Sequence, residues 1–380
     1  GVPHELVISG RHRADMGRLA ADLGRVCAQQ VALFGELPCD RYLFMTLATG
    51  DGYGGLEHRF STSLICSRSD LPRPGESAVD KGYRKFLGLC SHEYFHLWNV
   101  KRIRPRVFQE KGLEREVHTR LLWVFEGITS YYDDLALVRS GVIEPEAYLD
   151  LLAAGITRLL RGNGRHKQSL EASSFDAWTK FYKQDESAPN NIVSYYTKGA
   201  LVALALDLTI RRDTGGERSL DHLMRRLWND YGKADRGLGE DEIEPLIADV
   251  TGLDLSAFLE RALRGTQDLD LAPLLGAFGV AMRLRPARDG EDQGGVVAVR
   301  GAPKMISKSS GRIKQKQGME ALATLQDMIR EGKYHTGLTV DGPSGPELKM
   351  KNGAIALAKD TGAPILVMTM AARPKFRLFS

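Results

Sequence analysis

Residues 91–105 read SHEYFHLWNVKRIRP, and residues 121–141 read LLWVFEGITSYYDDLALVRSG. The first stretch holds His92, Glu93 and His96 in an HExxH pattern. On a helix, positions i and i+4 share a face, so both imidazoles can address one metal ion while Glu93 stands one step round. Two histidines and a neighbouring carboxylate are what metal-assisted hydrolysis needs: ligands, and a base for the attacking water. The preceding FLGLC (86–90) is apolar, which predicts a covered helix face rather than an open one. A catalytic zinc takes a third protein ligand and keeps one position open. Glu126, thirty residues after His96 on a second predicted helix, is the candidate. It is an acid set among Trp123, Phe125 and Ile128, where a carboxylate needs a cation for a partner.

Outward from these stretches the pattern is mainly helical. Helices are predicted over 81–99, 115–139, 145–162 and 196–213, then over 218–231, 240–251 and 255–263, the last capped by Asp254. Towards the N-terminus, 5–9 and 42–48 read as strands, with a helical stripe between them over 14–33. Residues 50–58 read as a Gly-rich connector, STSLIC (61–66) as a strand and 67–77 as a loop. The polar stretch 287–295 reads as a turn between two strands.

Two further residues carry chemistry. In SYYTKG (194–199) a tyrosine near the start of a helix could donate to an oxyanion or simply pack in the core, with Tyr196 and Tyr195 as the two registers. In GGLEH (54–58) Glu57 is an acid beside a glycine turn.

The strings quoted above, followed by SYYTKGALVALALDL, resemble the glycyl aminopeptidase family, over roughly residues 3 to 300. The resemblance implies a thermolysin-like (gluzincin) α+β catalytic domain, mainly helical, that binds one Zn2+ and is usually joined to a PDZ domain. It implies that His92, His96 and Glu126 are the zinc ligands and Glu93 the general base. Tyr196 resembles the oxyanion-donating tyrosine of a Y-x-K-G motif in the broader aminopeptidase group. GGLEH resembles the G-x-M-E-N exopeptidase motif, with Leu56 for Met and His58 for Asn; there the Glu, here Glu57, holds the substrate's free α-amine. The implied substrate is a peptide with a free N-terminus, cut after a small residue such as Gly or Ala.

Composition divides the chain. Residues 302–380 carry 13 basic and 6 acidic side chains, and the rest 39 and 42, so the net +4 is the sum of +7 and −3. The whole is too near neutral to suggest a nucleic-acid binder. All four cysteines and all four tryptophans precede residue 302. The cysteines lack CxxC spacing and are expected to be free buried thiols. No apolar run reaches the ~20 residues of a membrane span. A cytoplasmic compartment is expected over a periplasmic one. The basic tail reads α–β–α–β, and from about Lys304 it resembles part of a lysophospholipid acyltransferase-like domain. That group's H-x-x-x-x-D is absent, since none of the nine histidines has Asp five positions on. Four regions are expected: a β-containing front part (1–80), the helical zinc-peptidase domain (81–265), a linker with the start of a truncated PDZ-like region (266–301) and an acyltransferase-like α/β fragment (302–380). The alternative to an enzyme is a truncated, non-catalytic composite chain.

Overall fold

A computed structural model describes residues 1–111, 114–286 and 294–300. The acyltransferase-like reading of 302–380 and the turn proper at 287–293 lie outside the described residues.

The front of the chain forms β1 (His4–Ser9), α1 (Met16–Phe34), β2 (Tyr42–Thr49), β3 (Tyr53–Glu57) and β4 (Ser61–Ser67). They make a four-stranded sheet in the order β1-β2-β4-β3, in which β1/β2 and β2/β4 are parallel and β3/β4 antiparallel. Period-two alternation decides which face is covered. Tyr42, Phe44, Thr46 and Ala48 of β2 and Thr62, Leu64 and Cys66 of β4 are buried, whereas Met45, Leu47 and Ile65 are exposed. Asp15 caps α1 by accepting from Arg18 N at 3.0 Å, and Gly35 ends it at φ +83°.

The connector expected at 50–58 is instead largely β3. Gly54 and Gly55 weaken strand propensity, yet the segment pairs along β4 from Tyr53↔Cys66 to Glu57↔Thr62. The glycine at 55 answers a tertiary demand. A Cβ on Gly55 would run into the Glu93 side chain, so the backbone of this edge strand lies directly against that carboxylate.

The helical body begins with α2 (Lys81–Phe95), capped by Asp80 accepting from Tyr83 N at 2.8 Å. A short α3 (Arg106–Glu110) follows. The helix expected from 115 starts later, as a π-turn at Trp123–Gly127 that runs into α4 (Ile128–Arg139). Next come α5 (Pro145–Arg161), α6 (Leu170–Phe175), α7 (Ala188–Asn191), α8 (Tyr195–Asp213), α9 (Leu220–Leu227), α10 (Ile243–Thr251), α11 (Ser256–Leu259) and α12 (Leu271–Ala277). At α11 the expected cap is displaced: Leu255 takes the cap position, while Asp254 Oδ1 accepts from Ser256 N at 3.0 Å. The described chain closes with β5 (Val280–Arg285) paired antiparallel to β6 (Gly295–Arg300). One apolar cluster extends from Leu19 to Ala298 and takes in both the sheet's inner face and the helices. All four cysteines are free and buried. Among the described residues no helix is long and apolar enough to cross a membrane.

Two elements run through the middle of this core. α2 buries Tyr83, Phe86, Leu87, Tyr94 and Phe95. α8 is buried almost all round from Leu201 to Ile210. The π-turn crosses α8 at two glycines: a Cβ on Gly127 would stand 2.6 Å from Gly199 Cα, and one on Gly199 would stand 2.8 Å from Gly127 Cα. Backbone meets backbone there, which brings the start of α8 against the residue after Glu126.

Candidate metal centre

α2, the π-turn and the start of α8 converge on one wall of a cleft of about 1690 Å³. His92 sits in the last turn of α2, and His96 is its cap. Their rings stand 4.6 Å apart and nearly perpendicular. Glu126, the fourth residue of the π-turn, places Oε2 3.2 Å from His92 Nε2 and 3.3 Å from His96 Nε2. The donor atoms of the three residues all lie within 4.8 Å of one another.

The other nitrogen of each ring is fixed. His92 Nδ1 donates to Asp133 Oδ2 at 3.0 Å, and His96 Nδ1 donates to the carbonyl of Asn99 at 2.8 Å. A proton held on Nδ1 leaves the Nε2 lone pair facing the cluster, the tautomer a metal ligand needs. The surrounding carboxylates also draw positive charge to the cluster. Burial penalises an imidazolium, but the hydrogen bonds and charges of Asp133 and Glu126 outweigh it and lift His92 well above the usual histidine range. His96 is likewise raised, because Glu126 overcomes its burial. Burial also disfavours the Glu126 carboxylate, yet the two histidines pull its pKa well below normal. The cluster is therefore a half-buried carboxylate that requires positive charge beside it, supplied by protons or by a cation. Two Nε2 atoms and one carboxylate oxygen are the donor set of a catalytic zinc, so these residues fit such an ion.

Glu93 is 5% exposed, and its Oε2 has no hydrogen-bond partner. Burial raises its pKa against the pull of His96 and His92. Glu57, at the end of β3, brings its carboxylate within 4.8 Å of donor atoms on Glu93 and His96. Its Oε1 is held by Lys101 Nζ at 2.9 Å.

Of the two tyrosines, Tyr196 faces the cluster, its ring 6.1 Å from that of His92. Tyr195 is buried, stacks on Tyr196 at 4.6 Å and packs on Phe181 at 4.8 Å. The Tyr196 hydroxyl lies 3.3 Å from that of Tyr182, which also accepts from Tyr195 at 3.2 Å. Burial and the Glu126 charge push the Tyr196 phenol up, so it stays protonated.

The structure thus gathers all six residues expected from sequence, and it adds Asp133, the Asn99 carbonyl, Lys101 and Tyr182. Asp133 carried a usable signal: it follows Glu126 by seven residues, about two helical turns, which returns it to the same side. The others come from turns and loops, where spacing carries no direction.

The model of the M61 glycyl aminopeptidase family matches residues 85–202. Among solved structures, the chain is similar to an aminopeptidase N family protein from Idiomarina loihiensis, with 46% identity and a TM-score of 0.75 over 77% of this chain. It spans half of that protein's length. A looser likeness, at 16% identity and a TM-score of 0.47, joins 70% of this chain to 49% of an M1 zinc metallopeptidase from Deinococcus radiodurans. No curated protein matches the chain. His92, Glu93, His96, Glu126, Asp133 and Tyr196 all lie inside 85–202, the stretch of this chain that matches the M61 glycyl aminopeptidase model.

Proposed function

We propose that this chain is the catalytic unit of a zinc-dependent aminopeptidase that removes a small N-terminal residue, Gly or Ala, from peptides. The observation that carries the proposal is the meeting of a His92–His96–Glu126 donor set with the unpartnered Glu93 Oε2 and the Glu57 carboxylate in one cleft. The preference for a small first residue rests on the likeness to the glycyl aminopeptidase model.

His92, His96 and Glu126 would hold the zinc, which when bound supplies Lewis acidity to water and to the scissile carbonyl. Glu57 takes the ammonium of the substrate's first residue, which sets the first peptide bond against Glu93. Glu93 accepts the proton of the attacking water and returns it to the leaving amine. Burial suits it to both tasks, because a raised carboxyl pKa makes it a better base and a competent acid. Tyr196, held protonated, donates its O–H to the carbonyl oxygen as negative charge develops there.

The test is zinc content together with hydrolysis of a glycyl anilide. Wild type should turn over, and Glu93→Gln should keep its zinc while losing at least about a thousandfold in kcat. A stoichiometric zinc protein that cleaves no aminoacyl anilide would refute the proposal.

A further inference from the structure

The chain leaves α2 through a strained turn. Val100, a β-branched residue, stands at φ +126°, a conformation that L side chains rarely adopt. The turn is held there from both sides. Asn99 Nδ2 donates to the carbonyl of Val124 at 3.0 Å and to Thr129 Oγ1 at 3.1 Å, and the Asn99 carbonyl accepts from His96. Lys101 N returns to the carbonyl of His96 at 3.0 Å. The strained residue is thus tied both to a candidate metal ligand and to the π-turn that carries Glu126. What the turn delivers is Lys101, whose ammonium lies 2.9 Å from Glu57 Oε1, with the two side chains 28% and 20% exposed.

A lysine ammonium and the α-ammonium of a peptide are the same chemical group competing for one carboxylate. We propose that Lys101 is a built-in competitor for the amine subsite: it neutralises Glu57 in the empty enzyme and is displaced by the incoming N-terminus. This rests on the reading of Glu57 as the amine holder. Exchange of one ammonium for another leaves the charge of the subsite unchanged. A neutral, acylated N-terminus offers no such exchange and leaves the pair closed. Lys101 therefore weakens the affinity for every substrate with a free α-amine, while it spares Glu57 from standing as an uncompensated carboxylate in the empty site.

The test compares Lys101→Met, Lys101→Gln, Lys101→Arg and Glu57→Gln in the zinc-loaded full chain. Calorimetry reads the binding of glycinamide and of N-acetylglycinamide, and kinetics read KM and kcat on a glycyl anilide. Both neutral variants should bind glycinamide about twofold to fivefold more tightly and lower KM by the same factor, with kcat held within about twofold, the scale of a partly exposed ion pair. Lys101→Arg retains the competitor and should stay near wild type, and N-acetylglycinamide should gain nothing in any variant. Having two neutral variants guards against one that fails to fold. Unchanged or weakened glycinamide binding in the neutral variants would overturn the role of Lys101. The reading of Glu57 is decided separately: if Glu57→Gln binds glycinamide like wild type, Glu57 is not the amine holder. If Glu57→Gln loses that binding and the lysine variants show no gain, the proposal for Lys101 falls alone.

Discussion

Replacing Gly199 by alanine adds one methyl group where two backbones touch. The new Cβ would stand 2.8 Å from Gly127 Cα and 3.5 Å from both Cα and the carbonyl oxygen of Trp123. Ordinary contact begins at 3.4 Å, so α8 and the π-turn must part by 0.6 Å, with no flexible side chain to absorb the overlap. Overpacking of this kind costs about 1–3 kcal/mol, which in a protein of this size lowers Tm by roughly 2–4 °C per kcal/mol. The same shift separates Tyr196, three residues before Gly199, from Glu126, one residue before Gly127. Displacements of this order at a reacting centre cost about tenfold to hundredfold in kcat. The control is Gly24→Ala, on the exposed side of α1 with nothing within 4 Å of the added methyl. There the same substitution should stabilise by about 1 kcal/mol through helix propensity alone. Thermal melting, zinc content and glycyl-anilide kinetics on both variants decide the matter. If Gly199→Ala melts and turns over like wild type, the close crossing does not set the site.

Three other perturbations probe separate parts of the arrangement. Gly55→Ala drives a methyl into the Glu93 side chain, 2.7 Å from Cγ, and should cost at least about a hundredfold in kcat with zinc retained; unaltered kcat would mean that β3 does not press on that carboxylate. Asp133→Asn removes the carboxylate that orients His92, and zinc affinity measured by chelator competition should fall about tenfold to hundredfold. Asp221 is pushed up by burial, but Arg139 and the Tyr132 hydroxyl outweigh that and hold its carboxyl below the ordinary range. Its contribution to stability is therefore full above the unfolded value near pH 4 and is lost as pH falls through the lower folded value. Asp221→Asn should thus melt below wild type at pH 7, with the gap closing in acid; a gap independent of pH would exclude the charge as its source.

The parts of the candidate site that could be read from sequence are those whose direction follows from helical spacing. His92 and His96 share a face because they are four apart, and Glu126 stood out as a carboxylate among aromatics. β3 could not be read this way. Its glycines argue against a strand, and the side chain for which Gly55 makes room, Glu93, lies 38 residues further on. The late start of the helix at Trp123 was hidden for a similar reason. A π-turn differs from an α-turn only in which carbonyl receives the Ile128 N–H, here that of Trp123, and tertiary packing makes that choice. Lys101 was invisible because its direction comes from one unusual φ at Val100.

The π-turn has a consequence for how this segment can change over time. It holds Glu126 against both histidines, while Asp133, seven positions on, reaches the far side of the His92 ring. Both contacts come from one continuous helical rod, so their relative placement is a matter of residue count. Losing or gaining one residue between them turns everything beyond it by about 100° and shifts it by about 1.5 Å. No side-chain change can undo such a rotation. Point substitutions in ITSYY (128–132) remain open to repair by their neighbours, whereas a one-codon insertion or deletion there separates the carboxylate that completes the cluster from the carboxylate that steadies it. This stretch is thus a ruler, whose length matters to the cluster more than its letters do.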